Sequence, residues 1–307
     1  MSRTRVLGGI EAGGTKMVCA VGTGPDDLRA LVRIPTADPE RTVDEIVAFF
    51  RRQEEPPEVV GIGSFGPLDP DPGSPTYGTI TTTPKPGWAD FPMGPRIGSA
   101  LGVPFVFDTD VNAAALGEHR WGAARDVHSF VYLTIGTGIG GGALVQGRRL
   151  HGLLHPEMGH LSVPRVEGDP FEGVCPFHGA CLEGLASAVA MRERWGRPPE
   201  EIPPDHPAWR LEASYLALGL VNVALTLSPQ RIILGGGVTE NRSLLPLVRQ
   251  EFAERLNGYL RSPVVTEGMD SYVVRAGLGD RAGVLGALAL AGEYGPDAGD
   301  DRGSPHG

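Results

Sequence analysis

Three candidate metal ligands lie close together in the chain. Cys175, His178 and Cys181 form a C-x2-H-x2-C pattern, and the chain has only 3 cysteines in all. Thiolates and imidazoles are the ligands that zinc prefers, and a structural zinc site is filled by four of them. The fourth ligand is expected from nearby, with His155 and His160 as the candidates. The pattern predicts a structural zinc site that leaves no position open for activating water.

Two glycine-rich turns lie between stretches that have the pattern of strands. The first turn spans residues 12–15 and is followed by Lys16, and the second spans residues 136–140. Tight glycine turns expose successive backbone N–H groups, which form a concave site for anions. Threonine hydroxyls add donors to both turns, and Lys16 could add positive charge. Two such turns facing across a cleft could hold a triphosphate and its metal ion.

The second turn also matches the dinucleotide-binding pattern G-x-G-x-x-G. That pattern requires a helix to follow, whereas residues 143–147 here predict a second strand and another turn. We therefore exclude a Rossmann site. The sequence has no G-x-x-x-x-G-K-[ST] loop, which disfavours a P-loop ATPase.

A catalytic carboxylate is predicted where a buried strand gives way to a helix. Asp108, Asp110 and Asn112 lie at this junction. Phosphoryl transfer needs positioning, neutralisation of charge and a carboxylate that takes the proton of the acceptor hydroxyl. Asp110 is the candidate base, and Asn112 would help to fix the loop. The alternative is a helix-capping aspartate with no chemistry, since aspartate is favoured at helix starts.

The elements that must position these residues follow from the periodicity of the apolar residues. A helix with buried positions at Val43, Ile46, Val47 and Phe50 is predicted to begin at a capping box, T-x-x-E, at residues 42–45. Short apolar runs predict buried strands at residues 59–62, 104–107, 130–135 and 232–234. Further helices are predicted at residues 111–121, 211–227 and 244–256.

A weak internal repeat suggests two similar halves. Residues 6–21 and residues 130–145 both have the pattern strand, glycine-rich turn, strand. Apolar runs alternate with helical patterns along the chain, which is typical of an α/β protein. The repeat predicts two similar lobes with a cleft between them.

Composition narrows the class of protein. The formal net charge of -10 disfavours nucleic acid as a partner, because phosphate backbones are bound mainly by Lys and Arg. Hydrophobic residues make up 41% of the chain, yet no run approaches the ~18 consecutive apolar residues of a membrane helix. An apolar signal-peptide run does not follow the N-terminus, and the few cysteines suit a reducing compartment. We expect a cytoplasmic protein.

In combination, these motifs resemble the ROK sugar kinases, and within them the bacterial fructokinases, from Gly9 to about Ala291. Asp110 and Asn112 match the catalytic N-D-x-N signature, with Thr109 where most members carry Asn. Glu157 to His160 match the E-x-G-H motif. The residues that match the two phosphate motifs and the loop near the adenosine are Glu11, Gly13, Gly14, Thr15, Lys16, Gly136, Thr137, Gly138, Gly235, Gly236 and Gly237.

The resemblance implies a role for each of these groups. Asp110 would be the base, and Thr109, Asn112, Glu157, His160 and Glu183 would contact the sugar. The resemblance also favours His160 over His155 as the fourth zinc ligand, beside Cys175, His178 and Cys181. The segment 83–88 and the His-containing zinc motif resemble the fructokinase branch, as does Glu11, where most members of the family carry Asp.

The implied fold is the actin-like (ribonuclease H-like) two-lobe ATPase fold. We expect an N-terminal lobe of residues 1–112 with the first phosphate loop and Asp110, a C-terminal lobe of residues 113–294, and a disordered tail of residues 295–307. The implied reaction uses ATP with Mg²⁺ to phosphorylate D-fructose at its 6-hydroxyl. The resemblance also implies a structural Zn²⁺. Members of the family are usually homodimers, so we expect a homodimer here.

Several alternatives stay open. Glucose, mannose or an N-acetylhexosamine could be the acceptor, since this depends on a few hydrogen bonds that the sequence does not display. A non-catalytic sugar sensor and a transcriptional repressor are alternatives of another class. Against a repressor, the first phosphate strand begins at Val6, which leaves no room for a preceding DNA-binding domain, and the chain is acidic.

Overall fold

The structure, a computed structural model, describes residues 5–295 of the 307-residue chain. The described chain divides into two compact units. Unit 1 contains residues 5–120, 151–155 and 281–295, and unit 2 contains residues 121–150 and 156–280. The predicted disordered tail lies, apart from its first residue, outside the described residues.

Unit 1 is built on a five-stranded mixed sheet. Its order is β3-β2-β1-β4-β5, in which β1–β2 and β2–β3 are antiparallel and β1–β4 and β4–β5 are parallel. The strands are β1 (Leu7–Ala12), β2 (Lys16–Gly24), β3 (Asp27–Pro35), β4 (Val59–Ser64) and β5 (Phe105–Thr109).

Helices cover both faces of this sheet. Two neighbouring glycines of β1 show this, because successive residues of a strand point to opposite faces. A Cβ at Gly8 of β1 would lie 3.0 Å from Phe50 Cε1, whereas a Cβ at Gly9 would lie 2.9 Å from the Val284 carbonyl oxygen. Phe50 and Val284 belong to the helices on the two opposite faces. The helices of unit 1 are α1 (Pro39–Arg51), α2 (Met93–Leu101), α3 (Asp110–Trp121), whose last residue falls in unit 2, and α10 (Ala282–Gly292).

Unit 2 repeats the same sheet topology. Its order is β10-β9-β6-β7-β8, in which β6–β7 and β7–β8 are antiparallel and β6–β9 and β9–β10 are parallel. Read from β8, this matches the order and direction of the strands in unit 1, so the predicted internal repeat is confirmed. The strands are β6 (Phe130–Ile135), β7 (Ile139–Val145), β8 (Arg148–Arg149), β9 (Arg231–Gly235) and β10 (Val273–Arg275).

Within the described residues unit 2 contains six helices, of which α6 is the longest. By length and apolar composition α6 could span a membrane, but 56% of that window is buried inside the structure. Its buried residues, among them Trp209, Tyr215 and Leu220, belong to the core of unit 2, which identifies it as a core helix. The helices are α4 (Leu182–Ala186), α5 (Ala188–Trp195), α6 (Ala208–Leu227), α7 (Leu244–Leu256), α8 (Pro263–Thr266) and α9 (Met269–Tyr272).

The predicted strands and helices are all present, with ends that shift by a few residues. One predicted helix start is wrong, since α1 begins at Pro39 and not at the capping box of residues 42–45. The Asp38 side chain accepts a hydrogen bond from the Arg41 amide, which makes Asp38 the N-cap. The Thr42 hydroxyl instead donates to the Asp38 carbonyl oxygen from inside the first turn.

The two units do not follow the predicted boundary after residue 112. The helix α3 runs unbroken from Asp110 to Trp121, and α10 at the other end of the chain packs on β1 and β4 of unit 1. A Cβ at Gly61 of β4 would lie 1.9 Å from the Ala287 carbonyl oxygen, so the backbones touch. Residues 281–295 therefore belong with the N-terminal sheet, which a linear division of the chain does not allow.

Candidate active site

The predicted base lies where β5 passes directly into α3. Asp110 is the first residue of α3 and is partly buried. Its Oδ1 accepts a hydrogen bond from the Val111 amide at 2.9 Å. The neighbouring strand β4 carries Gly63, where a Cβ would lie only 2.6 Å from the Ala113 Cβ. This missing side chain lets the start of α3 lie close to the sheet and fixes the position of Asp110.

A buried carboxylate two residues earlier organises this junction. Asp108 is 0% exposed, and its Oδ1 accepts from the Thr109 amide at 2.7 Å and from Asn112 Nδ2 at 2.9 Å. Its Oδ2 lies 3.0 Å from His151 Nε2. Asn112, which is 1% exposed, thus links the first turn of α3 to Asp108 at the end of β5.

His151 is a site residue that the sequence reasoning missed. It belongs to the short segment 151–155, which packs with unit 1 although β8 before it belongs to unit 2. Its only signal in the sequence is its position between the second hairpin and the E-x-G-H motif, and that position does not point to Asp108.

Thr109 is 3% exposed, and its hydroxyl accepts from the Asn112 amide, so it caps α3. The sugar contact of Thr109 stays a prediction.

The first glycine turn joins β1 to β2 as predicted. The Gly13 amide donates to the Lys16 carbonyl oxygen at 3.0 Å, which closes the turn. Gly14, Thr15 and Lys16 are exposed. The Thr36 hydroxyl donates to the Gly13 carbonyl oxygen at 2.8 Å.

Two further contacts hold the carbonyl groups of this turn. The Thr36 amide donates to the Thr15 carbonyl oxygen at 3.0 Å, and Lys85 Nζ donates to the Gly14 carbonyl oxygen. Lys85 comes from the segment 83–88 that the sequence singled out. With its carbonyls occupied, the turn can present N–H groups to an anion.

Glu11 lies at the end of β1, next to this turn, and packs against the start of α10. A Cβ at Gly283 would lie 2.3 Å from Glu11 Cδ, so only glycine leaves room for this carboxylate. Gly283 is the second residue of α10, which belongs to unit 1.

The second glycine turn spans residues 136–138 between β6 and β7. The Gly136 amide donates to the Gly138 carbonyl oxygen at 2.9 Å, and Thr137 is exposed at the tip. Glu183 Oε2 accepts from the Ile139 amide at 2.9 Å. A Cβ at Gly138 would lie 2.4 Å from the same oxygen. Glu183, predicted to contact a sugar, therefore also supports this turn with one of its oxygens.

The predicted adenosine loop lies against the strand that leads into the second turn. A Cβ at Gly235 would lie 2.5 Å from the Tyr132 hydroxyl, and one at Gly236 would lie 2.4 Å from the Ile135 carbonyl oxygen. Gly236 also has a positive φ of 88°, which favours glycine. Gly237, which is exposed, begins a short 3₁₀ turn.

The E-x-G-H motif packs on the start of β7. Glu157 is exposed, and Met158–His160 form a 3₁₀ turn. A Cβ at Gly159 would lie 1.8 Å from the Ile139 carbonyl oxygen, which explains the glycine of the motif. His160 is partly exposed, and its Nδ1 points toward the cysteines.

The four predicted metal ligands come together in unit 2. One ligand atom from each of His160, Cys175, His178 and Cys181 lies within 4.8 Å of all the others. His160 Nδ1 lies 3.5 Å from Cys181 Sγ and 3.7 Å from Cys175 Sγ. In a tetrahedral zinc site with Zn–S ≈ 2.3 Å and Zn–N ≈ 2.0–2.1 Å, a sulfur ligand and a nitrogen ligand lie about 3.6 Å apart. The donor set and its spacing fit one tetrahedral ion.

The surroundings of these ligands also fit a metal. Burial raises the pKa of the Cys181 thiol to about 11, against a hydrogen bond from the Gly184 amide that lowers it. A metal ion would replace that thiol proton, because thiolate is the ligand form. His155, the other candidate for the fourth position, lies elsewhere, where its Nε2 accepts from the Leu68 amide at 3.2 Å.

Comparison with known proteins identifies sequence relatives over nearly the whole chain. The model of the ROK family matches residues 7–293. A fructokinase from Pediococcus pentosaceus is 44% identical over 286 residues, which are 93% of this chain and 97% of that protein. The residues matched by the family model, 7–293, include every candidate site residue described above.

Solved structures agree with this result. A ROK hexokinase from Thermus thermophilus superposes with a TM-score of 0.74 at 31% identity, covering 93% of this chain and 97% of that chain. A ROK family glucokinase from Streptomyces griseus, in complex with glucose and AMPPNP, has a TM-score of 0.76 at 26% identity and covers 94% and 100%. These neighbours confirm the predicted actin-like ATPase fold.

Proposed function

The chain belongs to the ROK family, and from this membership we infer that it is an ATP-dependent fructokinase. The observation that carries the inference is the 44% identity with a fructokinase over nearly the full length of both proteins. The reaction transfers the γ-phosphoryl group of ATP to D-fructose. The 6-hydroxyl is the proposed acceptor, as the resemblance to the fructokinases implies.

We propose Asp110 as the general base. The carboxylate would accept the proton of the attacking hydroxyl while that oxygen bonds to the γ-phosphorus and the bridging oxygen leaves with ADP. Its rigid position at the start of α3, supported by Asp108 and Asn112, suits this role. A positioned base of this kind contributes about 10²–10⁴-fold to the rate.

The two glycine turns are the proposed binding elements for the phosphates of Mg-ATP. Exposed N–H groups of the first turn, with the charge of Lys16, would neutralise phosphate oxygens, and the second turn would do the same. Glu11 would lie beside the phosphates and their Mg²⁺, and Gly235, Gly236 and Gly237 would lie near the adenosine.

We propose that Glu157, His160 and Glu183 hydrogen-bond to sugar hydroxyls. Glu157 is exposed, and His160 is partly exposed. Glu183 uses Oε2 for the Ile139 amide, which leaves Oε1 as its proposed sugar contact. Thr109 and Asn112 are buried at the junction of β5 and α3, where they hold Asp108 and the start of α3, and their sugar contact stays a prediction.

The ion held by the four-ligand cluster is proposed to be zinc with a structural role. All four positions would be filled by protein, so it would not activate water. By fixing His160 and the segment before Glu183, it would stiffen the residues that orient the sugar.

We also propose that the protein is cytoplasmic and forms a homodimer. Light scattering of the purified protein tests the homodimer.

A hexose panel tests the proposed substrate. We expect ADP release with Mg-ATP to be fastest, by kcat/KM, with fructose, ahead of glucose, mannose and N-acetylhexosamines. A higher kcat/KM with another hexose would reassign the acceptor within the family. No ADP release with any hexose, despite tight sugar binding, would instead support a non-catalytic sugar sensor.

A further inference from the structure

Ile139, the residue directly after the second glycine turn, is held from two sides. Its amide donates to Glu183 Oε2 at 2.9 Å. Its carbonyl oxygen lies so close to Gly159 that a Cβ there would approach it to 1.8 Å. Ile139 is 4% exposed, so an amide that lost its acceptor would be buried without a partner, which is costly.

Both residues that hold Ile139 adjoin metal ligands. Gly159 directly precedes His160, and Glu183 follows Cys181 by two residues. His160 Nδ1 and Cys181 Sγ lie 3.5 Å apart, so one ion bound to both would fasten the two segments together. Each segment would then keep its position against Ile139.

Two backbone contacts and the shared apolar core of unit 2 also join these segments. The Leu182 amide donates to the Leu161 carbonyl oxygen at 2.9 Å, and Ser162 pairs with Cys181 in an isolated bridge. The helix α4, which carries Glu183, has only five residues and is capped by Cys181, whose Sγ accepts from the Gly184 amide at 3.5 Å. Cys181 therefore fixes the start of α4.

The turn itself has little freedom to move independently of α4. A Cβ at Gly138 would lie 2.4 Å from Glu183 Oε2, so the carboxylate lies directly against the turn. The Ala188 amide, at the start of α5, donates to the Gly136 carbonyl oxygen at 2.8 Å. A shift of α4 would therefore shift the turn.

We propose that the metal cluster positions the second glycine turn through Glu183 and Gly159, so that the metal supports binding of nucleotide phosphates as well as binding of sugar. The proposal rests on the assignment of this turn as a phosphate-binding element in the proposed function. Glu183 is here a positioning residue for the turn through its Oε2, separate from any sugar contact.

The test measures the turn directly. Hydrogen exchange of the Ile139 amide is followed in metal-loaded protein, in protein stripped with a zinc chelator and returned to Mg²⁺, and in Glu183→Ala and Glu183→Gln variants. We expect roughly tenfold or faster exchange after stripping and in Glu183→Ala, from loss of a hydrogen bond to a charged group. Glu183→Gln retains an acceptor oxygen and should stay protected.

Nucleotide affinity is measured without sugar, by titration of ADP in the presence of Mg²⁺. We expect the Kd to rise roughly tenfold after stripping and in Glu183→Ala, with little change in Glu183→Gln. Glu193→Ala is the matched control, because Glu193 is an exposed carboxylate on the next helix, α5. It should behave like the unaltered protein.

The outcomes separate this proposal from the proposed function. Unchanged Ile139 exchange in stripped protein and in Glu183→Ala would overturn the link between the metal and the turn. Faster exchange with unchanged ADP affinity would overturn the link to nucleotide binding. If the metal-loaded protein bound no ADP, the kinase assignment would fail, and the exchange data would still decide whether the metal positions the turn.

Discussion

The two glycine turns have the same place in the fold, but they are supported differently. Each joins the first two strands of a sheet with the same strand order. The first is held through its carbonyl groups, by the Thr36 hydroxyl and Lys85. The second is held by the Glu183 carboxylate, which accepts the Ile139 amide, and by the Ala188 amide.

This difference shows that a repeated backbone motif does not fix its surroundings. In unit 1 the turn is supported by Thr36 and Lys85, and the same unit carries Asp110. In unit 2 the turn is supported by Glu183, which lies two residues from the candidate metal ligand Cys181. We therefore expect substitutions in the two units to separate catalysis from metal-dependent positioning.

The largest effect is expected from Asp110→Asn in unit 1. Asparagine keeps the shape of the side chain but cannot accept the hydroxyl proton, so kcat should fall by about 10²–10⁴-fold. The Kd for ADP and for fructose should change little. Retention of more than a few per cent of kcat would exclude Asp110 as the base, and a large loss of ADP affinity would contradict the separation of roles.

The next effect is expected from His178→Ala in unit 2, with His155→Ala as its control. His178 is one of the four clustered ligands, whereas His155 lies against Leu68 in unit 1. Metal analysis should find one zinc per chain in the His155 variant and little in the His178 variant. Loss of zinc should lower the Tm, by about 2–4 °C for each kcal/mol lost. Equal zinc in both variants would refute the ligand assignment.

Two buried acids extend the comparison between the units. Asp108 in unit 1 is surrounded by the Thr109 amide, Asn112 and His151. Glu212 on α6 is 1% exposed, and within the described residues neither of its oxygens has a hydrogen-bond partner. Burial raises the pKa of Glu212 well above its ordinary value of 4.5, and the charge of Arg194 only partly opposes this.

This shift makes the stability of the protein depend on pH. A carboxyl whose pKa is raised in the folded state holds its proton there while the unfolded chain loses it, so the free energy of unfolding falls as pH rises above 4.5. Glu212→Gln removes this dependence. The variant should gain on the unaltered protein by about 1.4 kcal/mol per pH unit until the folded carboxyl ionises.

Urea unfolding at pH 5 and pH 8 measures this difference. Glu193→Gln, an exposed carboxylate, is the control and should show no gain. An equal advantage of Glu212→Gln at both pH values would mean that Glu212 has the same pKa in the folded and unfolded states.

The sequence was sufficient for features set by local pattern and insufficient for those set by contacts distant in the chain. The hairpins and the ligands at residues 175, 178 and 181 follow from spacing alone. The pairing of Asp108 with His151, 43 residues away, has no local signal. The same holds for the packing of α10 on β1 and β4, which depends on glycines in three separate elements. The N-cap of α1 is Asp38, four residues before the start of the predicted capping box, and it is followed by Pro39, which fits the first helical position.

The smallest effect is expected from Thr36→Val, which tests the support of the first turn. Valine has nearly the same shape, and its amide can still donate to the Thr15 carbonyl oxygen, so only the hydroxyl bond to Gly13 is lost. One such bond contributes about 1 kcal/mol, so the Kd for ADP should rise roughly fivefold. Because the substitution leaves Asp110 in place, kcat should be retained.

Thr23→Val is the matched control, because its hydroxyl bonds to Asp27 elsewhere in the same sheet. It should leave the Kd for ADP unchanged. If Thr36→Val also left it unchanged in folded protein, the Thr36 hydroxyl would not support the first turn. Stripping the metal should not alter the exchange of the Gly14 amide, since the described contacts that hold this turn come from Thr36 and Lys85 in unit 1. A metal-dependent change at Gly14 would mean that the two turns share a support, contrary to the difference described above.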